Sequence, residues 1–147
     1  MKNKLLSEIG AVITALFFVC ALAMLFLAPV LLKMYLNATG RPFFIFKDII
    51  IAFYCLEPVA LTALACLFLL LLNIIKETVF IRGNVRLLRI VSYCAFLASA
   101  VCFTLGYMYL PYILCGVAAA FIGLLLQVLV RVFAVAVEIK EENELTI

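Results

Sequence analysis

The chain has 147 residues, of which 70% are hydrophobic and 13% are charged, and its formal net charge is +3. Soluble domains are about 45–50% apolar and about 25% charged, so this composition excludes an ordinary soluble domain. Histidine is absent, which excludes Ser/His/Asp and Cys/His catalytic sets and removes the usual metal ligand. We therefore expect a membrane protein that is not an enzyme.

Four apolar blocks fill most of the chain. Each is about 20 residues or longer, the length that a helix needs to cross the ~30 Å hydrocarbon core of a bilayer. The sequence predicts an all-α fold, a four-helix transmembrane bundle that forms one integral membrane domain over residues 1–147. The predicted helices cover residues 11–32, 49–75, 90–110 and 112–137, and an acidic tail follows at 138–147.

Basic residues are divided unevenly between the two sides of the predicted bundle. With a cytoplasmic amino terminus, eight of the eleven lysines and arginines lie on the inner side and only Lys33, Arg41 and Lys47 lie on the outer side. Inner loops of membrane proteins carry an excess of Lys and Arg. The sequence therefore predicts that both termini are cytoplasmic.

The second predicted helix carries Glu57 inside its apolar run, directly before Pro58. Acidic residues within a membrane often mark ion paths or ligand sites. One interpretation is therefore a site for a small ligand or a proton. Another is that Glu57 is uncharged and hydrogen-bonds a neighbour such as Tyr54, which shares its helix face. A third is that Glu57 faces water in an outer vestibule.

The fourth predicted helix adds Gln127 and Arg131, four residues apart on one face, to this candidate intramembrane polar site. Arg131 lies near the inner boundary, where a long side chain can reach water. Its structural interpretation is an ion pair with Glu77 or Glu138. Asn73, at the inner end of the second helix, is a candidate member of the same cluster.

The third and fourth helices carry matching stripes of small residues. Lipid supplies no hydrophobic drive for helix association, so small residues that let backbones approach closely favour a tight hairpin. The alternative is that one stripe forms a homodimer face. The stripes consist of Ala95, Ser99, Cys102 and Gly106, and of Gly116, Ala120 and Gly123.

The six cysteines all lie inside apolar segments, and no two have CxxC spacing. Metal sites need clustered ligands, so we interpret the cysteines as small apolar packing residues. We expect neither a metal nor a cofactor.

The inner loop and the tail form the candidate partner surface. Three arginines at i, i+4 and i+7 make one basic helix face, which either rests on anionic headgroups or docks the acidic tail. The tail ends in apolar residues, which is typical of a segment that docks on a partner. The candidate surface comprises Arg82, Asn84, Arg86, Arg89, Glu141, Glu142, Asn143, Glu144, Leu145 and Thr146.

Two segments carry a family resemblance. Gly83–Ser92, which reads GNVRLLRIVS, and Glu141–Ile147, which reads EENELTI, resemble the inner-loop motif and the acidic terminus of DUF2975, a bacterial family of small four-helix membrane proteins of unknown function. The family's usual Asn-Pro-Phe before the inner helix is replaced here by the Lys-Glu-Thr-Val-Phe-Ile of residues 76–81. The resemblance implies a multi-pass protein of the bacterial cell membrane, without assigned catalytic residues.

The same resemblance implies a partner, because members of the family are often encoded beside a Cro/repressor-type helix-turn-helix regulator. We therefore expect a non-enzymatic protein that regulates or sequesters such a regulator through its inner loop and acidic tail, without binding nucleic acid itself. The alternative is a small transporter or channel subunit that uses Glu57. An enzyme acting on lipid is disfavoured, because histidine and clustered carboxylates are absent.

Overall fold

Four long helices make up the fold. The computed structural model describes residues 2–40, 42, 43, 45–107 and 110–146, and for residues 2–4 it describes the backbone alone. The helices are α1 (Lys2–Thr39), α2 (Ile45–Ile75), α3 (Arg82–Gly106) and α4 (Leu110–Leu145). Each is long and apolar enough to cross a membrane. The prediction of an all-α, four-helix, multi-pass membrane protein is confirmed.

The helices extend beyond the predicted spans at most of their ends. The apolar pattern placed the first helix at residues 11–32 and the end of the fourth at residue 137, whereas α1 runs from Lys2 to Thr39 and α4 continues to Leu145. An apolar run marks the part of a helix that lies in lipid. The helical backbone hydrogen bonds continue through polar residues. They stop at a helix-ending residue such as Gly40, which has a φ of +63°.

Helices α3 and α4 form the tight hairpin that the small residues predict. The hydroxyl of Ser92 donates to the carbonyl of Gly123 at 3.0 Å, and that of Ser99 donates to the carbonyl of Gly116 at 2.8 Å. A Cβ added to Gly123 would lie 3.2 Å from the ring of Phe96. The stripe is therefore used inside the hairpin, and a homodimer through it would have to displace this packing.

The helices lie in chain order across the fold. Close backbone approaches join α1 to α2, α2 to α3 and α3 to α4, and no other pair of helices in the described residues. Large apolar side chains along α1 and α4 are exposed, as expected for surfaces that face lipid tails. A compact core of Val85, Leu88, Val130 and Val137 lies where α3 begins and α4 ends, and it fixes the position of the candidate site.

Candidate functional site

We call the end of the bundle that holds the α2–α3 loop, the start of α3 and the last turns of α4 the inner end, after its predicted orientation. The loop is closed by a cap at the end of α2. Glu77 has a φ of +60° and its N–H donates to the carbonyl of Ile74, while the N–H of Thr78 donates to the carbonyl of Asn73. This is the Schellman arrangement, which satisfies the last carbonyls of a helix and reverses the chain.

Asn84 joins this loop to α3. Its amide nitrogen donates to the carbonyls of Thr78 and Val79, at 2.9 and 2.8 Å, and its amide oxygen accepts from Nδ2 of Asn73 at 2.7 Å. The residue is 0% exposed. Asn84 was predicted to belong to the partner surface, and that prediction is wrong, because every polar atom of its side chain is used inside the protein. Asn73 likewise bonds Asn84 and does not join Arg131.

An ion pair connects the start of α3 to the end of α4. Arg82 donates from Nε to Oε1 of Glu141 at 2.9 Å and from Nη2 to Oε2 at 2.6 Å. This two-point geometry matches a planar guanidinium to a planar carboxylate and gives the pair a defined orientation. The sequence offered docking of the tail on the basic face as one of two interpretations, and Arg82 is the member of that face that makes the contact.

The other two arginines of the face have no acidic partner among the residues that the structure describes. The ion pairs in the described part of the chain are Arg82–Glu141 and Lys140–Glu144, and Arg86 and Arg89 are exposed. With Arg82 they line a cavity of about 330 Å³ between α3 and α4. Glu138 forms part of the α4 wall of the same cavity.

The acidic tail is helical. α4 continues to Leu145, so the segment from residue 138 onward is an extension of a membrane helix. Glu142, Asn143, Glu144 and Thr146 are exposed, and the side chain of Leu145 is 88% exposed. Together with the exposed arginines of the basic face, these residues are the part of the predicted surface that a partner could reach. Ile147, the second apolar residue of the predicted apolar end, lies outside the described residues.

The four predicted members of the intramembrane polar site do not meet. Glu57 is buried, 7% exposed, and its Oε1 has no hydrogen-bond partner in the described structure. The hydroxyl of Tyr54 donates to the carbonyl of Leu25 on α1 at 3.1 Å, so the interpretation in which Glu57 hydrogen-bonds Tyr54 is not what the described residues show. Gln127 and Arg131 lie on α4, which makes no close backbone approach to α2 in the described residues.

The bond made by Tyr54 has a local cause that the sequence contains. Pro29 lies inside α1 and has no N–H, so it leaves the carbonyl four residues earlier, that of Leu25, without its helical partner. In lipid such a carbonyl must find another donor, and Tyr54 supplies it. The sequence signal for this bond is a proline in one membrane helix together with a side-chain hydroxyl at the same depth of the next helix.

Arg131 also differs from its prediction. It was predicted to pair with Glu77 or Glu138, but neither pair is present among the described residues. Arg131 is exposed, which fits a long side chain that extends from the end of the apolar region of α4 towards water. Gln127, one turn earlier, is half-buried.

The described cysteines, aspartates and glutamates form no group that could hold a metal ion, and all six cysteines are free thiols. No curated protein and no solved structure matches the chain. Residues 45–147, which span α2, α3 and α4, match the family model described as "Protein of unknown function (DUF2975)". The chain belongs to the DUF2975 family.

Proposed function

We propose that this protein is a non-enzymatic membrane protein whose inner end retains a cytosolic helix-turn-helix transcription regulator. The observation that carries the proposal is the end of α4. The helix continues to Leu145, Arg82 holds it through Glu141, and the side chains of Glu142, Glu144 and Leu145 stay exposed.

This arrangement suits a docking surface because it is already ordered. A flexible tail would lose conformational entropy on binding, whereas a helix fixed by packing and an ion pair loses less. The acidic side chains speed encounter with a basic partner. The exposed Leu145 adds apolar area that slows dissociation when it is buried.

Charge complementarity selects the class of partner. The face with which a helix-turn-helix protein contacts DNA is basic, since it binds phosphates. An acidic helix end can occupy that face and exclude DNA from it. The family resemblance points to the same class, because related proteins are often encoded beside such regulators. In this proposal the protein lies in a bacterial cell membrane and binds no nucleic acid itself.

The test measures retention of a Cro/repressor-type helix-turn-helix regulator, the class often encoded beside related proteins. The regulator is co-expressed with this protein and assayed in the membrane fraction. Glu142→Lys should weaken retention about fivefold, on the order of 1 kcal/mol for an exposed charge contact. The matched control is Glu8→Lys, since Glu8 is exposed near the other terminus and the change in net charge is identical. Leu145→Ser should also lower retention.

Two results would overturn the proposal. One is equal retention by the intact protein, Glu142→Lys and Leu145→Ser. The other is an equal loss for Glu8→Lys and Glu142→Lys, which would show a general charge effect in place of a defined surface. Retention should also fall as salt is raised, because the Debye length shortens from about 8 Å at physiological ionic strength to about 3 Å at 1 M.

A second candidate function is favoured by one observation, the buried carboxyl oxygen of Glu57 without a hydrogen-bond partner in the described structure. Intramembrane carboxyls of this kind occur in transporters and channels. If Glu57 serves transport, Glu57→Gln should abolish an ion flux in proteoliposomes while the free energy of unfolding changes by less than about 1 kcal/mol. An unchanged flux, or no flux in either protein, would remove this candidate.

A further inference from the structure

The cavity at the inner end of α3 and α4 has a chemistry that the proposed regulator surface does not use. Its α3 wall carries Arg86 and Arg89, which have no acidic partner among the described residues. They are three residues apart on a helix, so their side chains project from neighbouring positions on one face. The volume of about 330 Å³ is within the range of small-ligand sites.

The depth of these arginines places them at phospholipid headgroups. Residues 90–106 of α3 span about 25 Å at 1.5 Å per residue, which is most of the ~30 Å hydrocarbon core. Arg89 and Arg86 precede this segment and therefore lie at or just beyond its boundary. A ligand that enters the cavity from the membrane side arrives with its phosphate at this level.

The walls of the cavity combine charge with apolar surface. Val85 and Val137 are buried and Ala134 is half-buried beside them, and all three line the cavity. Such an apolar surface can contact the glycerol carbons and first methylenes of a lipid. The guanidinium groups can bind its phosphate as charged hydrogen-bond donors. Free phosphate would use the arginines alone.

The net charge of the site selects among phospholipids. Glu141 already neutralises Arg82, so Arg86, Arg89 and Glu138 leave a net charge of about +1 at the cavity. A lipid with one negative charge balances it and a zwitterionic lipid does not. The Glu138 carboxylate is an acceptor, which fits a headgroup that carries hydroxyl donors.

We propose that the cavity between the start of α3 and residues 134–138 of α4 binds one anionic glycerophospholipid with a hydroxylated headgroup. Arg86 and Arg89 hold the phosphate, Glu138 accepts from the headgroup hydroxyls, and Val85, Ala134 and Val137 contact the glycerol and the adjoining acyl carbons. Phosphatidylglycerol is the probe that has this chemistry. The site is separate from the exposed end of α4 on which the proposed function rests.

The test titrates the purified full-length protein in a neutral detergent with short-chain phosphatidylglycerol and counts bound lipid by native mass spectrometry. One lipid should bind, and Arg86→Gln/Arg89→Gln should weaken it about thirtyfold, since each arginine at an anionic headgroup contributes a factor of about five. The matched control is Lys76→Gln/Arg131→Gln. Those two residues are exposed and lie outside the cavity. Their replacement removes the same charge, so the affinity for phosphatidylglycerol should change less than twofold.

A second variant tests the apolar wall without changing charge. Ala134→Leu fills the cavity and should lower the affinity for phosphatidylglycerol at least fivefold, while the thermal unfolding of the protein confirms that the variant folds. Further arms use short-chain phosphatidylethanolamine and inorganic phosphate. Three results would overturn the proposal. They are equal binding of phosphatidylethanolamine, equally tight binding of inorganic phosphate, and an equal loss of affinity in the Lys76/Arg131 control.

Discussion

Replacing Asn84 with alanine should destabilise the protein by about 2 kcal/mol. The side chain makes three hydrogen bonds, to two loop carbonyls and to Nδ2 of Asn73, and it is fully buried. Each lost bond whose partner stays unsatisfied costs about 1 kcal/mol. Thr78 is exposed, so water can reach its carbonyl in the variant and reduce the sum from about 3 to about 2 kcal/mol.

The assay is reversible unfolding in detergent, followed by circular dichroism as denaturant is raised. Asn73→Ala removes one of the three hydrogen bonds and should lower the free energy of unfolding by about 1 kcal/mol. The double variant should lose less stability than the two single variants together, because the two residues share one bond. Asn143→Ala is the control, since Asn143 is exposed. A cost below about 0.5 kcal/mol for Asn84→Ala would refute the assignment of Asn84 as the residue that fixes the loop.

Three further predictions concern the membrane helices and their orientation. Tyr54→Phe should lower the free energy of unfolding by about 1 kcal/mol, because it leaves the Leu25 carbonyl without a donor. Tyr93→Phe, at an exposed position, should cause no measurable change in the same unfolding assay. Gly123→Val should lower the free energy of unfolding by about 1–3 kcal/mol, because the added side chain meets the ring of Phe96. Ala118→Val, at an exposed position, should leave the free energy of unfolding unchanged. Alkaline phosphatase fused after the last residue should be inactive and a cytosolic reporter active, as the charge asymmetry predicts; the reverse pattern would refute the orientation.

The number and location of the helices could be predicted from sequence because lipid imposes one simple requirement. A span needs about 20 apolar residues, and four such runs are visible. The pairing of α3 with α4 could be predicted too, since small residues recur along both. Ser92 and Ser99 are seven residues apart, as are Gly116 and Gly123, and in the antiparallel hairpin each serine meets a glycine carbonyl. Ser92 lies three residues before Ala95 and extends the same stripe of small residues, so the sequence contains the signal for it although the predicted stripe began at Ala95.

The details of the candidate site could be predicted only in part. Asn84 lies in a polar loop motif, and its burial depends on where the α2 cap places its carbonyls, which local sequence does not specify. Arg82 and Glu141 are 59 positions apart, so their contact depends on the length and register of the α3–α4 hairpin. Tyr54 bonds a carbonyl freed by Pro29 on another helix, and the sequence around Tyr54 does not indicate which helix lies beside it.

The proposed function requires the acidic end of α4 to occupy the DNA-binding face of a regulator. The measurement that tests this is the fluorescence anisotropy of labelled operator DNA bound to a Cro/repressor-type helix-turn-helix regulator. The complex is titrated with this protein in nanodiscs of zwitterionic lipid, which present no anionic surface of their own. We expect the anisotropy to fall to the value of free DNA, and we expect Glu142→Lys to displace the DNA less efficiently than the intact protein. Anisotropy that stays constant, or that rises as a ternary complex forms, would contradict it.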